Sequence, residues 1–349
     1  VTEHLRDLWI GTYPAAGAGT PAGRGEGIWR VGLDVGTGRL GEPEQVVAAP
    51  APSFLAVDRD ARLLLAVGET TEGTVTAFRV GAEDGRPGLT ALGTVPSGGA
   101  DPCHVLLDPA VRVAYVANYS SGTLAVLPRR AGGIGEPAQV LGHAGSGPVT
   151  DRQEASHAHF AALAPGGAHL LVCDLGTDEI RRYRVDPATG LLTEDGVAAV
   201  LPPGTGPRHL AFSADGRMAY VACELDVTVA VLAWDVERAA GRVVQQVPAV
   251  EEGAARGARA LPSHIERVGD RVLVATRATD ALAAFAVGPD GTLAPAGQTA
   301  LAGAWPRHFA VVAGWTVLAD QRSHSLTVLR DGVVASTAAL PAPACVLPA

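Results

Sequence analysis

A unit of about fifty residues recurs along this chain, and no other feature restricts its fold so tightly. Each unit opens on a short triplet: "PSF" ending at Phe54, "PCH" at His104, "HAH" at His159, "PRH" at His209, "PSH" at His264 and "PRH" at His308. An apolar run follows, then a turn such as "DRDAR", "DPAVR", "APGGA" or "SADGR", then a second apolar run such as "LLLAVGE", "VAYVANY" or "AYVACEL". A third, alternating run ("TVTAFRV", "EIRRYRV", "TVAVLAW", "ALAAFAV") precedes a fourth. Four short antiparallel strands per unit describe one propeller blade. Six units begin this way, and residues 5–49 supply a seventh that lacks its first strand. The missing strand stands at the other end, where "PAPACVLPA" puts Cys345 in the histidine position. The sequence therefore predicts a single all-β domain over 1–349. It is a seven-bladed β-propeller of four-stranded antiparallel blades, one of them completed jointly by the N- and C-terminal strands. Such closure leaves few sheet edges exposed.

Composition suits many short elements joined by turns, with 43 Gly and 25 Pro among 349 residues. The formal charge of −9 and the lack of any basic run argue against a nucleic-acid partner. All 27 basic residues are Arg, which excludes Schiff-base chemistry through a lysine. No apolar stretch approaches the roughly 18 residues of a spanning helix. The opening "VTEHLRDLWIGTY" lacks the pattern of a secretory leader, so no membrane partner and a cytoplasmic location are expected. Because the chain begins at Val1 rather than Met, a removed leader stays open. Cys103, Cys173, Cys223 and Cys345 are far apart with no Cys-x-x-Cys, and read as thiols in a reducing compartment.

Antiparallel pairing puts the start of each first strand beside the end of the second. One column across the blades then reads Phe54, His104, His159, His209, His264, His308, preceded by Ser53, Cys103, Ala158, Arg208, Ser263 and Arg307. The facing column reads Glu69, Tyr119, Asp174, Glu224, Arg277, Gln321. Histidines, arginines and carboxylates thus converge at one end of the axis, where a randomly solvated face gives no reason for His to recur in register. The candidates for substrate binding are Glu69, His104, His157, His209, His264, Arg307, His308 and Gln321. On a regular strand His157 and His159 point the same way, making His157 a candidate to orient His159. Arginines interleaved with the histidines repel a cation, so neither metal nor cofactor is expected.

"ADPCHVLLDP", "QEASHAHFAALAPGGAHLLVCDLGTDEI", "GTGPRHLAFSADGRMAYVACELD" and "WPRHFAVV" resemble the lactonase family of seven-bladed propellers, which includes propeller-type 6-phosphogluconolactonases and carboxy-cis,cis-muconate cyclases. The resemblance implies a metal-independent site of His159, Arg208, Glu224 and Arg277. "ATRATD" keeps Arg277 but alters its neighbours, and His308 stands where the family usually has a smaller or amide residue. Lactone opening needs a base for water, Glu224 or His159, and fixed donors for the carbonyl oxygen, a role for Arg208. Arg277 or Arg307 is then suited to an anionic substituent on a small substrate. An Arg208–Glu224 ion pair would keep Glu224 ionised and weaken it as a base, which makes His159 the rival for that role.

The implied activity is hydrolysis of an anionic sugar lactone. Alternatives are a cycloisomerase of the muconate type, a paralogue acting on another lactone or cyclisation substrate, or a non-catalytic scaffold, since propellers host many functions. "GAGTPAGRGEG" lies between strands and is not expected to cradle phosphate. "EEGAARGARALPSH" reads as a connector rather than a flap, and "QRSHSL" places Arg322 and His324 near the same rim.

Overall fold

The computed structural model describes residues 4–13, 25, 27–83, 85–251 and 260–349. Its strands form seven antiparallel sheets, and among the described residues no helix is long and apolar enough to cross a membrane. Blade 1 runs Leu55–Asp58, Leu63–Gly68, Thr74–Glu83, Arg86–Pro96, each strand pairing with the next. Blades 2 to 6 begin at Pro102, Ala158, Pro207, Leu261 and Pro306. Blade 7 is composite: Pro343–Pro348 is its innermost strand and pairs with Leu5–Thr12, Gly11 opposite Cys345. The expected closure by both chain ends is present. In blades 2 and 7 the fourth strand is split, into Gly133–Ile134 with Gln139–Gly142 and Arg39–Leu40 with Glu44–Val47.

The core is divided by the blades. Second strands such as Leu63–Gly68, Val113–Asn118 and Trp315–Asp320 are buried along their whole length because a neighbouring blade covers each face. Outer strands such as Ala240–Pro248 alternate between exposed and partly buried positions. One apolar cluster fills each space between blades. Leu171, Cys173, Val221 and Cys223 pack between blades 3 and 4, and Ile10, Val317 and Val346 between 6 and 7. Polar ties recur at the same places: Tyr115 OH donates to Gly190 O at 3.0 Å and Tyr220 OH to Gly291 O at 3.1 Å. All four cysteines are buried free thiols.

A one-residue irregularity recurs near the start of the first strands. The register skips Cys103, His159, Arg208, Arg307 and Ala344, and in blade 5 it skips Ser263 with His264. A bulged residue is re-aimed relative to its strand. The columns read from sequence therefore need correcting in blade 3. His159 is the counterpart of Arg208, Phe160 that of His209, and Leu175 rather than Asp174 stands where Glu224 does. Asp174 instead turns away, accepting from Ser156 Oγ at 2.6 Å and His157 N at 2.8 Å.

Candidate active site

The bulges deliver Cys103, His159, Arg208 and Arg307 to one end of the axis, where the ends of the second strands bring Glu69, Tyr119, Glu224 and Arg277. These residues line a cavity of about 590 Å³ together with Tyr13, Asp101, Arg152 and Trp305. Local loop chemistry fixes the positions. Asp178, in the turn after Asp174, accepts from Gly204 N, Thr205 Oγ1, Gly206 N and Gln153 Nε2. That one carboxylate ties the "GTGP" segment ahead of Arg208 to the loop that bears Arg152. Gly206 then accepts from Glu224 N at 2.8 Å, setting the height of the glutamate.

Glu224 is 2% exposed and meets three guanidiniums: Arg208 Nε at 2.9 Å, Arg277 Nη2 at 2.5 Å and Arg152 Nη2 at 2.7 Å. Burial alone would raise its pKa; Arg277, Arg208 and Arg152 together overcome that and hold it far below the usual carboxylate range. Arg208 also donates to Ser263 O, and its pKa falls to about 9 through burial and repulsion by Arg277, so it stays charged at neutral pH. Arg152 additionally donates to Tyr119 OH at 3.2 Å. Across the cavity Arg307 lies 4.1 Å above the Tyr13 ring and 3.3 Å from Glu69, which accepts from Ser53 Oγ. Four guanidiniums, from Arg152, Arg208, Arg277 and Arg307, face three carboxylates, from Glu69, Asp101 and Glu224. The lining keeps a surplus of positive charge despite the acidic chain.

His159 sits edge-on to Tyr119 and His209, with centroids 5.7 and 5.3 Å away. Burial and Arg208 lower its pKa well below the ordinary value, so the imidazole is neutral at pH 7. Its Nδ1 is buried with no hydrogen-bond partner among the described residues. Burial raises the Cys103 thiol far above its ordinary pKa, which rules out a thiolate nucleophile at neutral pH.

Several expected residues lie elsewhere. His104, His209, His264 and His308 form a ring of imidazoles on the axis outside the lining of the large cavity, with Phe54 and Phe160 between them. Only His209 and His308 border an adjoining space of about 10 Å³, which they share with Glu69, Cys103, Arg208 and Arg307. His157 does not share a face with His159, because the bulge breaks the alternation. It stacks on Tyr119 at 4.4 Å and contacts Tyr119 O and Glu154 Oε1 through its two nitrogens, so it supports Tyr119. Gln321 is buried outside the cavity lining, its N–H donating to Trp305 O. Among the described residues no three His, Cys, Asp or Glu side chains converge as a metal cage. Residues 252–259 of the "EEGAARGARALPSH" connector and most of "GAGTPAGRGEG" lie outside the described residues.

Sequence reasoning missed Tyr13, Asp101, Arg152 and Trp305. None stands in a repeating triplet; the one local signal for Arg152 is its closeness to "HAH". Arg322, noted near the rim, stacks on Trp305 at 3.4 Å.

Known proteins share this architecture along the whole chain. The family model described as "Lactonase, 7-bladed beta-propeller" matches residues 7–347. A 6-phosphogluconolactonase of Bacillus subtilis is 30% identical over 350 residues, covering 97% of both chains. Another, from Erwinia tasmaniensis, is 29% identical over 82% of each. Among solved structures, the periplasmic gluconolactonase of Pseudomonas aeruginosa superposes with a TM-score of 0.88 at 29% identity, covering 99% of each chain. With a family model spanning nearly every residue and a cavity at the propeller mouth that gathers four arginines with His159, Glu69 and Glu224, the chain belongs to the lactonase family of seven-bladed β-propellers.

Proposed function

We propose that this protein hydrolyses an anionic sugar lactone of the 6-phosphogluconolactone type without a metal ion. The observation that carries the reading is the cluster of three arginines on Glu224 beside a neutral His159, whose Nδ1 has no hydrogen-bond partner among the described residues, in a cavity large enough for a sugar phosphate. Glu224, ionised and clamped, is a poor base. Its charge instead stabilises the cation that forms when His159 takes a proton from water. Arg208 and Arg277 present fixed positive charge to the developing alkoxide, and need no reorganisation as it forms. Arg152, paired with Glu224, and Arg307, paired with Glu69, grip the anionic substituent. The Bacillus and Erwinia relatives carry the name 6-phosphogluconolactonase, and nothing in the geometry calls for the cycloisomerase alternative. Free buried thiols accord with a cytoplasmic location, which cell fractionation tests against the periplasmic site of the Pseudomonas relative.

The deciding experiment follows freshly generated 6-phosphogluconolactone by NMR with EDTA-treated protein, with unphosphorylated gluconolactone alongside. Acceleration of the phosphorylated lactone, lost by at least about a hundredfold in His159→Ala, is the expected result. Equal rates on both lactones would remove the anionic grip, and no acceleration of either would overturn the reading.

A further inference from the structure

The ring of imidazoles on the axis is not uniform. His104 Nδ1 accepts from Ala161 N and His308 Nδ1 from Val346 N, each at 3.3 Å, so both of these rings are fixed with the proton on Nε2. His209 and His264 are different: their Nδ1 atoms face each other at 2.9 Å, a contact that requires one proton between them. On its far side His264 Nε2 lies 3.2 Å from Glu266 Oε1.

Glu266 is out of place by the logic of the repeat. Two residues past the ring position, the other blades carry Ala56, Leu106, Ala162, Ala211, Ala310 and Leu347. A lone carboxylate thus stands in an apolar collar, with its side chain 31% exposed. At the opposite end of the chain of contacts, His209 borders the 10 Å³ space, four of whose other lining residues, Glu69, Cys103, Arg208 and Arg307, also line the catalytic cavity. That space is about the size needed for one water.

We propose that His209, His264 and Glu266 form a proton relay along the propeller axis, which holds the proton taken from water while the lactone opens and then returns it. The relay rests on the hydrolytic reading above. Its bookkeeping is closed. With Glu266 ionised, His264 Nε2–H donates to the carboxylate and His209 Nδ1–H donates to His264 Nδ1, leaving His209 Nε2 bare. When the water O–H bond breaks, the proton passes by way of His159, whose ring centroid lies 5.3 Å from that of His209, to His209 Nε2. The Nδ1 proton of His209 moves to His264, and the Nε2 proton of His264 moves to Glu266. As the ring C–O bond breaks, the same three shifts run backwards and the departing oxygen is protonated. No imidazolium persists in the ring, where burial lowers both rings strongly, His264 to about 3.

Burial raises Glu266 to about 7, against a hydrogen bond from Val311 N that works to lower it. A proton acceptor near neutrality is what general-base catalysis favours, and neither clamped Glu224 nor His159 alone supplies one. Among the described residues, the other charged or titratable groups acting on the relay are Arg208, which bears on both imidazoles, His308, stacked on His264 at 3.9 Å, and His104 and His159 beside His209.

The test has two independent arms. In the first, kcat for the phosphorylated lactone is measured against pH for the wild type and Glu266→Gln. Below pH 7 a protonated Glu266 leaves the relay already loaded, so the wild-type kcat is expected to fall there. Glu266→Gln is expected to lower kcat at pH 7.5 by at least about tenfold, with KM within about twofold, and to abolish that limb. An unchanged profile in Glu266→Gln, with His159→Ala inactive, overturns the relay and leaves the hydrolytic reading standing. In the second arm, 15N-histidine NMR of the unmodified protein reads the tautomers directly and needs neither substrate nor variant. His209 and His264 are expected to exchange Nδ1–H for Nε2–H, in opposite senses, through pH 7. Tautomers that stay fixed across that range overturn the proposal, whatever the substrate is.

Discussion

Removing the negative charge of Glu224 leaves Arg152, Arg208 and Arg277 facing one another with no common counter-ion. Breaking a buried charge network in this way costs about 3–5 kcal/mol, because the desolvated partners remain. Glu224→Gln is therefore expected to lower the unfolding free energy by that amount in urea titrations and to reduce kcat by about a hundredfold or more. The buried histidines give stability a second dependence on charge. His104, His159, His209, His264 and His308 all have lowered pKa values, so the unfolded chain binds their protons first. Their contribution is complete above about pH 6.5 and is lost as pH falls, by up to about 1.4 kcal/mol per pH unit for each ring. Glu224, also lowered, adds to the loss below its ordinary range, while Asp226, Glu266 and Asp320, all raised, run the other way. The five histidines outnumber those three, so the melting temperature is expected to decline steadily from pH 7 to pH 4. His104→Phe, placed between Phe54 and Phe160, is expected to make that decline shallower. It also lowers stability at pH 8, because Ala161 N loses its acceptor.

At the level of the strand, the recurring bulge converts a structural repeat into a functional one. An alternating strand would send Pro, Arg and His to opposite faces by turns; the extra residue lets Arg208 reach the cavity while His209 faces the axis. The segment before it is equally constrained. Gly206 has a φ of +62°, and a Cβ there would lie 2.4 Å from Leu225 Cγ. Gly206→Ala is expected to cost roughly 1–3 kcal/mol, from the left-handed backbone and the contact together, and to reduce kcat by displacing the carbonyl that accepts from Glu224 N. Thermal melts beside kinetics would show both effects; a neutral outcome in both would mean that this turn does not set the height of Glu224. The repeat, the turns and the four-strand pattern were legible in the sequence because they follow from period-2 alternation and Asp or Gly at tight bends. The bulge was not, since one extra residue in a first strand leaves no mark in composition. It is why the columns legible in the sequence set His159 of blade 3 against His209, when its counterpart is Arg208.

Across the whole molecule, closure joins the two chain ends. Pro343–Pro348 contributes Ala344, Cys345 and Val346, each no more than 2% exposed, and it is the inner partner of Leu5–Thr12. Deleting residues 341–349 uncovers that strand and opens the clusters on either side of blade 7. The expected result is a melting temperature lower by on the order of 10 °C, with association through the exposed edge visible by light scattering. An unchanged association state together with an unchanged melting temperature would mean that the ring is held by contacts between blades alone.

The sequence by itself determined the number of blades, the shared seventh blade and the convergence of Arg208, Glu224 and Arg277 at one mouth, because a fifty-residue period with alternating strands has one way to bury its apolar faces. Only the tertiary structure decided which residue of each triplet looks into the cavity and which lies on the axis, a choice made by a single bulged residue per strand. It also decided that Arg152, 72 positions before Glu224, completes the clamp, and that His209 and His264, 55 apart, meet nitrogen to nitrogen. Those contacts arise where loops and strands of different blades are brought to one axis, and pairing across such distances has no local period for a sequence to display.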